Sequence, residues 1–125
     1  RGDLDFAPGQ HGSTFGGNSF VTGVASDVLD ILQKEKLMQN AVTQGNRIQA
    51  AIGQMKKKSV SAIRGKGLMI GIQMNAQAKS AMESLRGKGV LVNVAHDFAI
   101  RLLPPLVLSK NDVDEFLGAF KEVVS

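Results

Sequence analysis

The order of apolar patterns along the chain most constrains its fold. Two long runs with helical spacing come first, at 18–35 and 36–57, and shorter apolar runs bounded by glycine or proline follow. Helical spacing predicts amphipathic helices, and short apolar runs between turn residues predict strands. The later elements are predicted as strands at 60–64, 68–74, 90–94 and 99–103, a helix at 76–85 and a last helix after 109. This pattern predicts a small α/β domain, with a sheet of three or four strands and helices packed on one face.

Single residues refine these elements. Gly45 and Gly53 interrupt the second helical run, and each is expected to weaken it by about 1 kcal/mol. Gly71 lies in the middle of an apolar strand, where a missing side chain indicates close approach by another element. Ser109, followed three residues later by Asp112, predicts a capping box at the start of the last helix.

Composition argues against several classes of protein. Hydrophobic residues make up 43% of the 125 residues and charged residues 21%, which is ordinary for one globular domain. No cysteine is present, which fits a reducing cytoplasm, and with only His11 and His96 no metal site is expected. No apolar run reaches the roughly 20 residues of a membrane span. Because the net charge of +4 comes with few aromatic residues, nucleic-acid binding is not expected.

The stretch at 11–18 carries the most distinctive chemistry. It reads His-Gly-Ser-Thr-Phe-Gly-Gly-Asn and places the hydroxyls of Ser13 and Thr14 side by side, just before a helical run. Hydroxyls and loop N–H groups at a helix N-terminus can bind an anion such as a phosphate. The stretch is not a P-loop, since Asn18 stands where the phosphate-binding lysine belongs. The residues alone leave two interpretations open, an anion-binding loop and a plain turn in which Asn18 caps the helix.

Three segments together resemble class III pyridoxal-phosphate aminotransferases. The stretch at 11–18 resembles the family's HG(S/T)T(Y/F)GGNP, and residues 63–72 resemble RGxGLMxGI. Residues 91–94 and 100–106 resemble the family's C-terminal motifs LLVNV and RLLPPL. Within the family, the Leu-Leu-Pro-Pro sequence at 102–105 is most similar to that of acetylornithine aminotransferases. The segments occur in the family's order and cover nearly the whole chain. One departure is Ser19, which replaces a proline that would preorganise the first helical turn.

The resemblance implies the C-terminal part of a fold-type-I enzyme that depends on pyridoxal 5′-phosphate. Residues 1–18 would be a cofactor and substrate loop carried over from the large domain, and residues 19–125 the small domain. The implied reaction transfers the terminal amino group of N-acetylornithine to 2-oxoglutarate, forming glutamate, in arginine biosynthesis. The implied enzyme is a cytoplasmic homodimer that binds neither nucleic acid nor membrane. Alternatives are ornithine, succinylornithine or another ω-amino acid as donor and, from a different class, a non-catalytic phosphate-binding or dimerisation module.

The resemblance also implies roles for three residues. Thr14 would bind the cofactor's phosphate in the active site of the neighbouring subunit, and Ser13 would contact cofactor and substrate from the same loop. Arg101 would hold the substrate α-carboxylate, a task that suits the planar fork of a guanidinium. The alternatives to these binding roles are structural: an ordinary turn hydroxyl for Thr14, a backbone role for Ser13 and a structural ion pair for Arg101.

No residue of this chain is assigned as catalytic. In the family, the lysine that holds the cofactor's aldehyde lies upstream of the stretch at 11–18, whereas every lysine here lies downstream of it. The 125-residue chain alone is therefore expected to have no transaminase activity.

Overall fold

The computed structural model describes residues 6–124, which divide into two compact units after Glu35. The first unit contains the loop at 6–18 and helix α1 (Ser19–Lys34). The second contains α2 (Leu37–Met55), β1 (Val60–Lys66), β2 (Met69–Met74), α3 (Ala78–Gly87), β3 (Asn93–Ala95), β4 (Ala99–Leu102) and α4 (Lys110–Val123). Helix α1 buries none of its described side chains. The domain boundary predicted after Asn18 stays a prediction.

Helix α1 begins where Asn18 caps it. The Asn18 side-chain oxygen accepts a hydrogen bond from the Val21 N–H at 3.1 Å, and the Asn18 carbonyl accepts one from the Thr22 N–H at 3.0 Å. An asparagine cap satisfies one free N–H of the first turn and is worth about 1 kcal/mol. The apolar side chains of the helix are exposed: Phe20, Val21, Val24, Val28, Leu29 and Ile31. The predicted cap is confirmed, and an anion at the adjoining turn is compatible with it.

The second unit is built on a four-stranded antiparallel sheet with strand order β1-β2-β4-β3. Ile72 of β2 lies opposite Ile63 of β1 on one side and Ile100 of β4 on the other. Val94 of the edge strand β3 is the other partner of Ile100. Because successive side chains point to opposite faces, this register places a continuous apolar row on one face. The predicted small sheet is confirmed.

Helices α2, α3 and α4 cover that apolar face. The seven largest fully buried side chains come from both layers: Phe120, Ile48, Ile70, Ile72, Leu85, Ile100 and Val113. Burying a side chain of this size contributes about 1.5–3 kcal/mol to the free energy of folding. These residues belong to one cluster, so the sheet and its helices share a single core on one face of the sheet. Within residues 6–124, no helix combines the length and apolar character needed to cross a membrane.

Gly45 of α2 lies against the β1–β2 turn. A Cβ built at Gly45 would stand 2.6 Å from the carbonyl carbon of Gly67, well inside van der Waals contact. Gly67 itself adopts a positive φ of 56° in this turn. Apart from its chain neighbours and the adjacent backbone of α2, no described atom lies within 4 Å of a Cβ built at Gly53. The expectation that both glycines only weaken the helix is thus incomplete, because Gly45 lets the hairpin pack closely on α2.

Strand β3 begins at Asn93 rather than at the predicted Val90. The Val90 N–H donates to the Leu85 carbonyl at 2.9 Å and closes the end of α3. Gly89, with a φ of 81°, permits this reversal, as glycine commonly does at the end of a helix. The backbone of Val90 therefore completes a helix instead of extending the ladder with β4.

Two carboxylates in this unit have lowered pKa values. A side-chain hydrogen bond with Ser109, followed by one from the Ser109 N–H, lowers the pKa of Asp112. These contacts form the predicted capping box, in which the Asp112 N–H also donates to Ser109 Oγ at 3.2 Å. A hydrogen bond from Lys88, followed by its positive charge, lowers the pKa of Glu122 and connects the end of α3 to α4.

Acid is expected to destabilise the 125-residue chain through these two groups. Because their folded pKa values lie below the unfolded ones, their contribution is complete above about pH 5 and is lost as pH falls through the folded values. Urea unfolding between pH 7 and pH 3 measures this loss, and Asp112→Asn and Glu122→Gln should each give a shallower decline. Because salt screens exposed ion pairs, 1 M NaCl should weaken the Glu122 contribution more than that of Asp112. Parallel pH profiles for the variants and the parent chain would contradict the assignment.

Candidate cofactor and substrate site

The loop that carries Ser13 and Thr14 is exposed and is held by its own polar groups. Ser13 Oγ accepts a hydrogen bond from the Gly16 N–H at 2.8 Å, and Asn18 Nδ2 donates to the Phe15 carbonyl. A Cβ built at Gly16 would stand 2.8 Å from Ser13 Oγ, so the turn needs a residue without a side chain at this position. These contacts form a tight turn that leads directly into α1.

Thr14 is exposed on this turn, and within residues 6–124 its hydroxyl has no hydrogen-bond partner. Ser13 acts as an acceptor in the turn, which leaves its own O–H proton available. Two hydroxyl donors beside a helix N-terminus suit an anionic group, since hydrogen bonds to charged acceptors are the stronger ones. The turn therefore fits a phosphate by the chemistry of its donors.

The histidines have other surroundings. His11 stacks on Phe6 with ring centroids 5.4 Å apart, so it orders the beginning of the loop. His96 lies in the β3–β4 turn with a φ of 51°, and Asp97 beside it has a φ of 55°. In the part of the chain that the structure describes, no three histidine or carboxylate side chains are placed to hold a metal ion.

Arg101 projects from β4 on the face of the sheet opposite the helices. Its neighbours Ile100 and Leu102 are buried on the helical face, as strand alternation requires. The Arg101 side chain is exposed and has no hydrogen bond or ion pair with other residues in 6–124. The structural ion pair considered for Arg101 is thus not formed inside the described part of the chain, and its guanidinium can bind an external carboxylate.

A cavity of about 520 Å³ lies where β3 and β4 diverge. Its lining includes the segments 89–93 and 101–104 together with Glu115 and Phe116 of α4. Arg101 and Asn93, which are partners in the ladder, both line it. Ile48, Leu102 and Val113 of the core line it as well.

Asn40 fixes the segment that follows β4. Its side-chain amide donates to the Leu106 carbonyl at 2.8 Å and to the Leu108 carbonyl at 2.9 Å, so α2 holds the Pro104–Pro105 connection in place. Asn40 was not predicted from the sequence. An asparagine in the first turn of a helix gives no local sign of partners more than sixty positions away.

The aminotransferase class III family matches residues 4–124 of this chain. Ornithine aminotransferase 1 of Staphylococcus aureus strain MRSA252 is 40% identical over 116 residues, which are 93% of this chain and 29% of that protein. The ornithine aminotransferase of Staphylococcus carnosus is 38% identical over 120 residues, or 96% of this chain and 30% of that protein. The chain thus spans less than a third of the length of these curated relatives.

Solved structures show the same fold. The acetylornithine aminotransferase of Elizabethkingia anophelis superposes with a TM-score of 0.84 at 33% identity, over 95% of this chain and 33% of that one. An ornithine δ-aminotransferase of Plasmodium falciparum gives a TM-score of 0.84 at 30% identity, over 95% and 32% of the two chains. The chain belongs to the class III aminotransferase family, whose members depend on pyridoxal 5′-phosphate.

Proposed function

We propose that this chain is the C-terminal part of an aminotransferase that moves the terminal amino group of ornithine or N-acetylornithine to 2-oxoglutarate. The observation that carries the proposal is the exposed guanidinium of Arg101 on the open face of the sheet, in a chain that matches this family over residues 4–124. The relatives named above support ornithine and its N-acetyl derivative as donors to a similar degree. The resemblance of residues 102–105 to the Leu-Leu-Pro-Pro sequence of acetylornithine aminotransferases favours N-acetylornithine as the donor.

Each assigned residue has a distinct task in this proposal. Pyridoxal phosphate, when bound, supplies an electron sink at the reacting carbon. Thr14 donates its hydroxyl proton to the phosphate of a cofactor held mainly by a neighbouring subunit. Ser13, on the same turn, contacts the substrate side of the cofactor. Arg101 binds the substrate α-carboxylate and orients the substrate, which lowers the entropic part of the activation barrier.

An assay of the complete protein with alternative donors tests the proposal. Ornithine, N-acetylornithine, N-succinylornithine and an unrelated ω-amino acid are each supplied with 2-oxoglutarate, and glutamate formation is measured. We expect ornithine or N-acetylornithine to give the highest kcat/KM, and the 125-residue chain alone to give no turnover. Failure of every donor, with pyridoxal phosphate bound, would refute the proposed reaction.

Thr14→Val in the complete protein is expected to weaken pyridoxal phosphate binding by about tenfold or more. The reason is that a hydrogen bond to a charged oxygen contributes roughly 1.5–3 kcal/mol net. Equilibrium dialysis of the apoenzyme against the cofactor gives the Kd directly. Thr14→Ser keeps the hydroxyl and should restore most of the affinity. If the Thr14→Val and Thr14→Ser variants lose affinity equally, the hydroxyl is not the phosphate donor.

A homodimer in the cytoplasm is part of the same proposal. The homodimer is supported by the row of exposed apolar side chains on α1, since contiguous apolar surface usually marks a protein interface. The rest of the polypeptide or a second subunit would cover this surface. Light scattering of the complete protein should give the mass of a dimer.

A further inference from the structure

We propose that Asn40 and Gln44 of α2 are positioning residues, which act through the end of β4 to place the guanidinium of Arg101. The task of Arg101, the binding of a substrate carboxylate, rests on the proposed function. The two amides act from a distance, since their hydrogen bonds go to groups of this domain.

Arg101 lies near one end of the sheet. Strand β4 ends at Leu102, which pairs with Ile70 of β2, and on the other side the ladder ends at the pair of Asn93 and Arg101. The prolines at 104–105 have no N–H group and cannot extend either ladder. Strand pairing therefore does not fix the direction in which the chain leaves β4.

The side chain of Arg101 has no restraint of its own. Within residues 6–124 its guanidinium makes no hydrogen bond or ion pair, and Gly71, its partner on β2, offers no side chain to pack against. The close approach predicted at Gly71 is not made by the described residues: outside its chain neighbours, the nearest described atom to a Cβ built there is the Arg64 carbonyl oxygen, at 3.9 Å. The position of the guanidinium therefore depends on the backbone of β4.

Asn40 holds the chain just beyond that strand. Its two amide N–H groups are both used, one on the Leu106 carbonyl and one on the Leu108 carbonyl. The Leu108 N–H donates to the Pro105 carbonyl at 3.0 Å, so the two carbonyls belong to one turn. Asn40 thus ties α2 to the turn that joins β4 to α4.

Gln44, one helical turn after Asn40, holds the Asn40 side chain. Gln44 Nε2 donates to Asn40 Oδ1 at 3.3 Å, which occupies the remaining polar atom of that amide and fixes its rotamer. Gln44 is only 9% exposed, and its own Oε1 has no hydrogen-bond partner among the described residues. A buried acceptor without a partner costs about 1–3 kcal/mol, so stability does not explain a glutamine here. Its contact with Asn40 gives it a task.

Calorimetry on the complete protein loaded with pyridoxal phosphate tests the inference. The probe is 2-oxoglutarate without an amino donor, so that no transfer occurs. Because small displacements of a binding group are costly, Asn40→Ala is expected to raise the Kd of 2-oxoglutarate about five- to tenfold, and Gln44→Leu about threefold. The Kd of pyridoxal phosphate should stay unchanged in both variants.

The double variant tests the order of the two residues. Since Gln44 acts through Asn40, Gln44→Leu should raise the Kd no further in the Asn40→Ala protein, whereas independent residues would give additive effects and overturn the relay. Gln44→Leu also removes the buried acceptor that lacks a partner, so the thermal midpoint should not fall. A lower midpoint with an unchanged Kd would reduce the pair to structural support and refute the proposal.

Thr43→Ala is the matched control. It removes the hydrogen bond from Thr43 Oγ1 to the Gln39 carbonyl, at 3.0 Å, which stays within α2. As expected for an exposed position, the Kd of 2-oxoglutarate should change by less than about twofold. An equal rise for Thr43→Ala and Gln44→Leu would mean that any loosening of α2 has this effect, and the specific role would be lost.

Arg101→Gln in the same titration separates this inference from the proposed function. If Arg101→Gln weakens 2-oxoglutarate binding while Asn40→Ala and Gln44→Leu do not, the positioning role is refuted and the proposed function stands. If Arg101→Gln has no effect, the carboxylate role of Arg101 and the positioning role both fail. Since the titration needs no turnover, a protein that transfers no amino group can still show the coupled effects of Asn40 and Gln44 on binding.

Discussion

Replacing Arg101 with alanine in the complete protein is expected to lower kcat/KM for 2-oxoglutarate by about a hundredfold. The guanidinium can donate two parallel hydrogen bonds to the substrate carboxylate, and losing roughly 3 kcal/mol of charge-assisted bonding corresponds to a factor of this size. Since the side chain is exposed in this structure, its removal leaves no cavity in the core. The effect should therefore appear in steady-state kinetics without a lower thermal midpoint.

Two further variants show whether the loss is specific to Arg101. Arg101→Lys keeps the charge but not the planar fork, so it should recover only part of the activity. Arg86→Ala removes another exposed arginine, from the last turn of α3, and should leave kcat/KM within about twofold, as expected for a surface substitution. If Arg86→Ala and Arg101→Ala reduce kcat/KM alike, Arg101 has no special contact with the substrate.

Replacing Gly45 with alanine is expected to lower the free energy of unfolding of the 125-residue chain by about 1–3 kcal/mol, the usual cost of forcing extra atoms into a packed site. The added methyl group meets the backbone of Gly67 rather than the end of a flexible side chain. Backbone can move only if α2 and the β1–β2 hairpin separate. Urea unfolding with a common m-value measures the change.

Gly53→Ala in the same helix is the control for Gly45→Ala. Beyond the adjacent backbone of α2, no described atom lies within 4 Å of the added Cβ, so only helix propensity should act, and stability should rise by roughly 0.5–1 kcal/mol. Opposite signs for the two substitutions are the expected result. Stabilisation by both would mean that the contact between Gly45 and Gly67 relaxes at no cost.

Local sequence patterns predicted several features that the structure contains. Asn18 and the pair of Ser109 and Asp112 cap their helices through atoms only three residues away. Alternation around Ile100 and Arg101 likewise placed one side chain in the core and the next on the open face. Such features depend on neighbours in sequence, which is why they could be read without a structure.

Two features differ from what local patterns predicted. Helical propensity predicted the same penalty for Gly45 and Gly53, yet only one of them meets a hairpin that begins more than ten residues later. The apolar run at 90–94 was predicted to be one strand, but the Val90 N–H donates to the Leu85 carbonyl at the end of α3, and the strand begins at Asn93. At Gly45 a contact between elements overrides a local preference, whereas at Val90 a hydrogen bond at the end of α3 takes the place of strand pairing.

The amino-acid sequence by itself determined the family, most of the elements and the hydroxyl-bearing turn at 13–14, because these follow from residue types at short, fixed spacing. The tertiary structure decided that β4 inserts beside β2 rather than at the edge of the sheet, which places Arg64 and Arg101 on either side of Gly71. Strand order and register arise from the packing of a whole apolar face against three helices, and no local segment contains that information.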